Sequence, residues 1–484
     1  PMGGHFYDVV YFHQGHPVKL RHYAVTTPRD KPVQFEVYNG EVFSYVAFDD
    51  DRLKYVFWMT NQAPYHHARH TADAPDVVPK VVLATVPDWP TKSRWFFEVN
   101  DTQFEANEAI RAKVAEITRG LKTDDDKIAA IVHWSADEIR YAGISMGQGE
   151  GYTLHPGPMI FDDRSGVCKD KAGMAITMLR AAGFEVYAAM TMAGSRVERI
   201  PADQFNHAVV ALKKPDGTFV MLDPTWVVYS PEVWSSGEGE QHYVIGSPEG
   251  EELMRTPSFA AADNKLRLVA RSTIDAGGGL TGRLTISAKG YGEQRLRREM
   301  VHYSIAPDRQ SWFEHLVGNI GPGAQLEPVK ISYPVLRDVT RPIEYNVNYH
   351  LAEFALQAED AIYFAPPTSK HLVDSSTLAP YLGAAQAEAI EAPLLFWAPR
   401  MRDVTETITL PAGYRVARLP DDRQIDNAVA SLHTHLESKG NKLVYTYELQ
   451  VKKRTIPQEE YPLFREVVQE ALALPKDLIV LERR

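Results

Sequence analysis

The 484-residue chain contains a single cysteine, Cys168, and this scarcity restricts its chemistry. One thiol cannot form an internal disulfide. It also cannot supply the several thiolates of a zinc finger, a CxxC redox motif or a metal cluster. Long apolar runs are missing as well. The longest candidate, residues 392–398, is less than half of the roughly 18 residues that a membrane helix needs, so no membrane span is expected.

Positive charge is also scarce, since 52 Lys and Arg residues stand against 63 Asp and Glu, for a formal net charge of −11. Proteins that bind duplex nucleic acid usually present a basic face, so nucleic acid is not an expected partner. The hydrophobic fraction of 44% and the charged fraction of 24% are ordinary for a globular protein. At roughly 100–200 residues per domain, the length predicts two to four domains.

The residue patterns predict an α+β chain that is β-rich at both ends. Near the N-terminus, alternating apolar and polar residues predict strands at 33–38, 42–48 and 53–58. Asn39-Gly40 between the first two strands is the strongest short signal for a hairpin turn. Asp49-Asp50-Asp51 predicts a solvated turn before the third strand.

The middle of the chain has helical spacing, and the remainder returns to a β pattern. Thr123 followed by three aspartates predicts a helix start. Gly277-Gly278-Gly279 lacks the GxxxxGK[ST] spacing of a phosphate loop, so a hairpin turn is expected there. A helix is expected at 311–317 and a closing strand at 477–481. We therefore expect four domains: an N-terminal β domain over 1–105, a mixed core over 106–262, a β-sandwich domain over 263–404 and a C-terminal β domain over 405–484.

Cys168 lies at the predicted start of a buried helix, because Ala172, Ala175, Ile176, Leu179 and Ala182 follow the i, i+3, i+4 spacing. Unpaired backbone N–H groups and the helix dipole favour a thiolate at such a position. Lys169 and Lys171 add positive charge, and Gly166 lets the backbone approach a substrate closely. The alternative is a buried, inert cysteine that acts as a small apolar residue.

A predicted hairpin downstream brings a histidine and an aspartate together. Residues 205–212 and 218–225 are the two strands, and 213–217 is the turn. If those five residues form the loop, His207 lies directly opposite Asp223, with Cβ atoms about 4.5–5.5 Å apart. A one-residue slip in register would place them on opposite faces. Taken singly, each residue also fits an ordinary role, His207 in the core and Asp223 beside a turn.

Together these residues predict a cysteine-dependent acyl-transfer site. Cys168 is the candidate nucleophile, because a thiolate attacks an acyl carbon well at neutral pH. His207 would take the thiol proton and later donate it to the leaving amine. Asp223 would orient His207 and stabilise its imidazolium. The backbone N–H of Cys168 is a natural oxyanion donor.

The motifs that carry this chemistry resemble the transglutaminase-like superfamily, whose core has a papain-like fold. They are the G-x-C of residues 166–168, the N-H-A-x-V of 206–210 and the L-D-P-T of 222–225. Residues 166–172 and 179–183 are similar to a bacterial branch in which this core lies between β domains of unknown function. The resemblance extends over nearly the whole chain.

That resemblance implies a protein or peptide substrate. The residues themselves predict no cofactor and no metal. The resemblance also implies export, and hence a periplasmic or cell-surface location, and an incomplete N-terminal β domain over 1–105. The start at Pro1 is interpreted as a trimmed or mature product. Relatives use an aromatic or amide side chain upstream of the cysteine as a second oxyanion donor, for which Trp134, Tyr141 and Gln148 are the candidates. Animal transglutaminases use calcium, but Asp124-Asp125-Asp126 and Asp162-Asp163 do not form an EF-hand loop.

Three hypotheses remain open at the level of sequence: a cysteine acyl-transfer enzyme, a binding or scaffold protein, and a specialised amidase. Hydrolysis and aminolysis share the acyl-enzyme, so a protease, an amidase such as a peptide N-glycanase, and a transglutaminase all fit. The chain could instead be a binding or scaffold protein that keeps a degenerate core.

His66 and His70 have the i, i+4 spacing of a helical metal pair, but the HExxH glutamate is absent and their surroundings predict a solvated loop.

Overall fold

The computed structural model describes residues 4–143, 151–302, 306–329, 333–370, 383 and 385–484. The protein is α+β as predicted, with 27% helix and 34% strand. It divides into two compact units, one of residues 1–228 and 232–258 and the other of 229–231 and 259–484. Within the described residues, no helix has the length and apolar character needed to cross a membrane.

The N-terminal part of the first unit consists of two small antiparallel sheets, with strand orders β1-β6-β3 and β2-β5-β4. Both sheets contribute to one apolar cluster, which includes Val10 from the first sheet and Tyr55 and Phe57 from the second. The strands are β1 (Tyr7–Tyr11), β2 (Val18–Pro28), β3 (Gln34–Tyr38), β4 (Phe43–Asp49), β5 (Arg52–Gln62) and β6 (Lys80–Ala84).

The hairpin predicted at Asn39-Gly40 is wrong, because β3 and β4 belong to different sheets. The two residues do turn with positive φ angles of 62° and 145°. However, the Asn39 side-chain amide donates to the carbonyls of Pro75 and Val78, at 3.0 and 3.1 Å. These bonds tie the turn to a distant segment while the chain crosses between sheets. The acidic turn is confirmed, since Asp49 pairs with Arg52 where β4 meets β5.

The rest of the first unit packs helices against a five-stranded antiparallel sheet of order β11-β10-β9-β12-β13. The helices are α1 (Ala74–Val77), α2 (Trp89–Glu98), α3 (Glu108–Ile117), α4 (Asp124–Glu138), α5 (Gly157–Asp163) and α6 (Cys168–Ala181). The strands are β7 (Arg140–Tyr141), β8 (Ser165–Gly166), β9 (Val186–Thr191), β10 (His207–Lys213), β11 (Phe219–Leu222), β12 (His242–Ile245) and β13 (Met254–Arg255).

Helix α6 is the central element of this core, because it packs against α4 and against strands β9 and β10. Four of its five predicted apolar positions, Ala172, Ala175, Ile176 and Leu179, are fully buried. The fifth, Ala182, is half-buried at the C-cap. Helix α4 begins as predicted, since the Thr123 hydroxyl accepts the N–H of Asp126 at 3.1 Å. The sheet and α4 thereby fix the position of α6 and of its first residue.

The second unit contains an eight-stranded sheet of order β16-β17-β15-β14-β21-β25-β24-β23 and a four-stranded sheet of order β18-β19-β27-β22. Its strands are β14 (Lys265–Ile274), β15 (Leu280–Ala288), β16 (Gln325–Leu326), β17 (Glu344–Leu351), β18 (Leu356–Ala358), β19 (Ala361–Phe364), β20 (Leu394–Leu395), β21 (Arg400–Thr409), β22 (Tyr414–Arg418), β23 (Gln424–Asp426), β24 (Ala430–Lys439), β25 (Lys442–Val451), β26 (Thr455–Ile456) and β27 (Ile479–Arg483). Its helices are α7 (Tyr291–His302), α8 (Ala306–Gly318), α9 (Tyr333–Arg337) and α10 (Tyr461–Ala473).

Residue 404, where the sequence suggested a domain boundary, lies inside strand β21. This strand pairs in parallel with β14 and antiparallel with β25, so one sheet continues across the position. Three local predictions for this unit are confirmed. The three glycines at 277–279 connect the antiparallel strands β14 and β15, a helix spans 311–317, and the chain closes on β27.

Candidate active site

The thiol of Cys168 lies at the first residue of α6, beside a cavity of about 270 Å³. His207 also lines this cavity. The remaining wall is largely apolar and aromatic, and it includes Phe96, Tyr152, Leu154, Met190 and Phe205. A partly exposed thiol at a helix start, next to a histidine and a lined cleft, can react with a substrate held in that cleft.

Asp170 holds the chain in place where it enters the helix. Its Oδ2 accepts the N–H of Val167 at 2.8 Å, and its Oδ1 accepts a hydrogen bond from Nδ1 of His155 at 2.7 Å. A Cβ atom at Gly166 would lie 2.4 Å from Cβ of Asp170. Glycine is therefore required at 166 so that the capping carboxylate can fold back over the backbone. This reason differs from the predicted one, which was close approach of a substrate.

The hairpin that carries His207 has a different register from the predicted one. Lys213 pairs with Phe219 and Leu212 with Val220, so the five-residue loop is 214–218 rather than 213–217. Each strand is thus displaced by one residue, and the two displacements together preserve the parity of the pairing. His207 and Asp223 remain on one face as diagonal neighbours, although they are not directly opposite each other.

The structure brings the three sequence-predicted site residues together. Nε2 of His207 donates to Oδ2 of Asp223 at 2.7 Å, and both residues are buried. The other Asp223 oxygen, Oδ1, accepts the N–H of Thr225 at 2.6 Å. The imidazole also hydrogen-bonds the thiol of Cys168. Because Nε2 is engaged by the carboxylate, Nδ1 is the nitrogen that can exchange a proton with sulfur.

The electrostatics favour a thiolate–imidazolium pair. Burial raises the pKa of Cys168, but the hydrogen bond and charge of His207 and the N–H groups of Ala208 and Lys169 outweigh it, so the pKa lies below the ordinary value. Burial lowers the pKa of His207, but Asp223, Cys168 and Glu238 raise it well above the ordinary value. Burial raises the pKa of the Asp223 carboxyl, but the positive charge of the His207 imidazolium outweighs this effect and keeps that pKa below the ordinary value.

Glu238 belongs to the same buried cluster, and no sequence pattern pointed to it. Its Oε1 lies 3.9 Å from Nε2 of His207. Burial and the charge of Asp223 raise the pKa of Glu238 well above its ordinary value. The residue lies in a short 3-10 turn, Ser236–Glu238, within a Gly- and Ser-rich stretch that gives no periodic signal.

His207, Asp223 and Glu238 are the one set of potential metal ligands among the described residues whose atoms lie within 4.8 Å of one another. Tetrahedral zinc ligands, with metal bonds of about 2.0–2.2 Å, lie more than about 3 Å from one another. The 2.7 Å separation of His207 from Asp223 instead fits a hydrogen bond.

Three side chains were candidates for the second oxyanion donor. Tyr141 lies on β7, paired with Gly166 just before Cys168, and burial and the charges of Cys168 and Asp223 raise its pKa. Trp134 packs against the core, with its ring stacked on Phe161. Gln148 lies outside the described residues. Tyr141 is therefore the candidate that the described structure places near the thiol.

The remaining predicted features have other roles. Lys171 is buried and donates to the carbonyls of Ala136 and Ile139, at 2.6 and 2.8 Å, at the end of α4. It therefore fastens two helices together. His66 and His70 are exposed in a loop, as expected, and they do not form a helical pair.

Comparison with protein families agrees with this geometry, since the family model described as the transglutaminase-like superfamily matches residues 111–224. This segment belongs to the transglutaminase-like superfamily. The transglutaminase-like segment contains α6 and the hairpin with His207 and Asp223. A second family model, for the domain of unknown function DUF3858, matches residues 361–481. No curated protein matches the chain.

A solved structure from Parabacteroides distasonis shares the fold at low sequence identity. A "putative protease" from Parabacteroides distasonis has a TM-score of 0.66 and 12% identity, over 99% of this chain and 75% of that chain. A "putative cysteine protease" from Cytophaga hutchinsonii covers 46% of this chain and 78% of that chain, with 11% identity and a TM-score of 0.23. The first likeness shows that the transglutaminase-like core and its flanking β regions have a known overall fold.

Proposed function

We propose that this protein is a cysteine-dependent acyl-transfer enzyme that acts on an amide or peptide bond through a thioester. The observation that carries the proposal is the continuous hydrogen-bonded series from Cys168 through His207 to Asp223, at the wall of a cleft. Perturbed pKa values of the kind found for Cys168 and His207 cluster at functional sites.

In the proposed first step, the Cys168 thiolate attacks the carbonyl carbon of the bound amide and forms a tetrahedral oxyanion. The C–N bond then breaks, and the amine leaves with the proton that His207 carries. The product is a thioester on Sγ. Water or a second amine, deprotonated by His207, attacks the thioester and releases the acyl group. Asp223 keeps Nε2 occupied throughout, so that Nδ1 faces the reacting atoms.

The helix start supplies electrostatic stabilisation for the oxyanion. The N–H of Cys168 is one of the first-turn groups that have no acceptor within the helix, and it points with the positive end of the helix dipole. We propose the Tyr141 hydroxyl as the second donor, because Tyr141 pairs with Gly166 and the charge of Cys168 helps to raise the pKa of its phenol.

The alternative of a non-catalytic scaffold is less well supported. A degenerate core has no reason to retain a buried imidazole hydrogen-bonded to both a thiol and a carboxylate, because burying these polar groups is costly. The description of the Parabacteroides neighbour as a "putative protease" favours hydrolysis as the second half-reaction. We further propose, from the family resemblance, a periplasmic or cell-surface location, which fractionation with compartment markers tests.

The test is a substrate panel applied to the wild type and to Cys168→Ala. It contains denatured protein, short peptides, a glycopeptide and a glutamine peptide with an added primary amine. We expect turnover that Cys168→Ala abolishes, with hydrolysed product indicating a protease or amidase and amine-linked product indicating a transglutaminase. Turnover that Cys168→Ala leaves intact would refute the proposal. So would a Cys168 that iodoacetamide labels no faster than free cysteine.

A further inference from the structure

Glu238 has no part in the three-residue mechanism, yet it lies inside the site. Its side chain is fully enclosed, and one oxygen lies 3.9 Å from Nε2 of His207. One carboxylate oxygen of Glu238, one of Asp223 and one imidazole nitrogen of His207 all lie within 4.8 Å of one another. Two carboxylates that are this close and this deeply buried cannot both be charged, because repulsion and lost hydration act against the second charge.

The hydrogen bonds show which of the two acids is ionised. Asp223 accepts from His207 and from the N–H of Thr225, at 2.7 and 2.6 Å, so its oxygens are surrounded by donors. Among the described residues, neither Glu238 oxygen meets a well-aligned donor, although the Ser235 N–H acts on it from nearby. A proton belongs on the acid that lacks donors, since the neutral form then becomes a donor itself.

We propose that Glu238 is a neutral carboxylic acid whose O–H donates to Asp223, and that it is a positioning residue that holds Asp223 against His207. The proposal rests on the acyl-transfer function above. The raised pKa of Glu238 and the lowered pKa of Asp223 agree with this direction of donation.

A neutral Glu238 matters for the chemistry because of the charges that face it. The imidazole of His207, at the start of β10, and the carboxylate of Asp223, one residue after β11, both lie beside Glu238. The Cys168 thiol lies on the far side of His207. An ionised Glu238 would add a second negative charge beside the imidazolium. His207 would then hold its proton more tightly and would transfer it less readily to the leaving amine.

The test compares three substitutions at Glu238. Glu238→Gln keeps the size, the neutrality and a donor group, so we expect most of the activity and an unchanged pH profile of kcat/KM. Glu238→Leu removes the donor, and we expect kcat to fall about 10- to 100-fold with little change in KM. This is the range seen in metal sites when a hydrogen bond that orients a metal-binding side chain is lost. Glu238→Asp keeps an acid but withdraws it from Asp223, so we expect kcat to fall as in Glu238→Leu. This variant takes the place of Glu238→Leu if the Leu variant fails to fold.

Infrared difference spectra provide a readout that does not need turnover. We expect the wild type to show the C=O stretch of a protonated acid at neutral pH, and Glu238→Gln to lack it. Absence of that band would overturn the proposal. So would a Glu238→Gln variant whose kcat is as low as that of Glu238→Leu and whose pH profile of kcat/KM has its basic limb at lower pH than the wild type. If no substrate is ever turned over, the proposed function fails, while the band still decides the protonation of Glu238.

Discussion

His207 and Asp223 are joined by a 2.7 Å hydrogen bond although their strands do not pair them directly. The carboxylate reaches the imidazole diagonally, from the residue that follows β11. Such a bond fixes the ring orientation and the tautomer, and it stabilises the positive charge on the ring. The other ring nitrogen then serves the Cys168 thiol, and several measurable consequences follow from this geometry.

Removing the charge of Asp223 should cost most of the activity. Asp223→Asn preserves the size of the side chain but favours the wrong tautomer of His207, so we expect kcat to fall about 10⁴-fold, as for a comparable triad aspartate. Steady-state kinetics on the best peptide of the panel measures this effect. Asp216→Asn, in the exposed turn of the same hairpin, is the matched control and should leave kcat unchanged. Equal losses in the two variants would contradict the assignment.

The pH dependence of thiol labelling should report the ion pair. The pKa of Cys168 is lowered and that of His207 is raised, and both shifts widen the pH range in which the thiolate–imidazolium pair exists. We expect iodoacetamide to label Cys168 rapidly even at a pH well below about 8.5, where a free thiol loses reactivity about tenfold per unit. In His207→Gln, the labelling midpoint should move back toward the free-thiol value. An unchanged midpoint would show that His207 does not ionise the thiol.

Replacement of Tyr141 tests the second oxyanion donor. Tyr141→Phe removes only the hydroxyl, so we expect kcat to fall about 10²- to 10³-fold with little change in KM, as when one oxyanion donor is lost. Trp134→Phe is the control, because Trp134 stacks in the core and its replacement should lower stability rather than kcat. An unchanged kcat in Tyr141→Phe would leave the backbone N–H of Cys168 as the donor.

Gly166→Ala should disturb the start of α6. The added Cβ would collide with the Asp170 side chain at 2.4 Å, so we expect a loss of about 1–3 kcal/mol in the free energy of unfolding, together with slower Cys168 labelling. Urea denaturation measures the first effect. Gly15→Ala is a suitable control, since a Cβ there would have nothing within 4 Å and the backbone is unstrained. A Gly166→Ala protein as stable as this control would contradict the packing argument.

Lys171→Met should weaken the junction of α4 and α6. The buried ammonium serves the carbonyls of Ala136 and Ile139, and its removal leaves both without this donor. We expect a loss of about 1–3 kcal/mol in unfolding free energy. Lys214→Met, in the exposed hairpin turn, should change it by no more than about 0.5 kcal/mol. Equal melting temperatures for the two variants would refute the structural role of Lys171.

Local signals predicted much of this protein well. The cap at Thr123, the helix that starts at Cys168 and the strand that carries His207 all depend on neighbouring residues, so their spacing reveals them. The turn at Asn39-Gly40 shows the limit of such reasoning. Its backbone has the expected positive φ angles, yet contacts with Pro75 and Val78, far along the chain, decide that the strands separate.

The sequence by itself determined which thiol, imidazole and carboxylate form the candidate site, because Cys168 is the only thiol and the hairpin's alternation limits which residues share a face. Tertiary structure decided the register that makes His207 and Asp223 diagonal neighbours, the reason for glycine at 166 and the continuation of one sheet across residue 404. It also brought Glu238 to the triad. These features depend on contacts between residues far apart in the chain, and such contacts follow from packing and from the shared burial of charge rather than from local spacing.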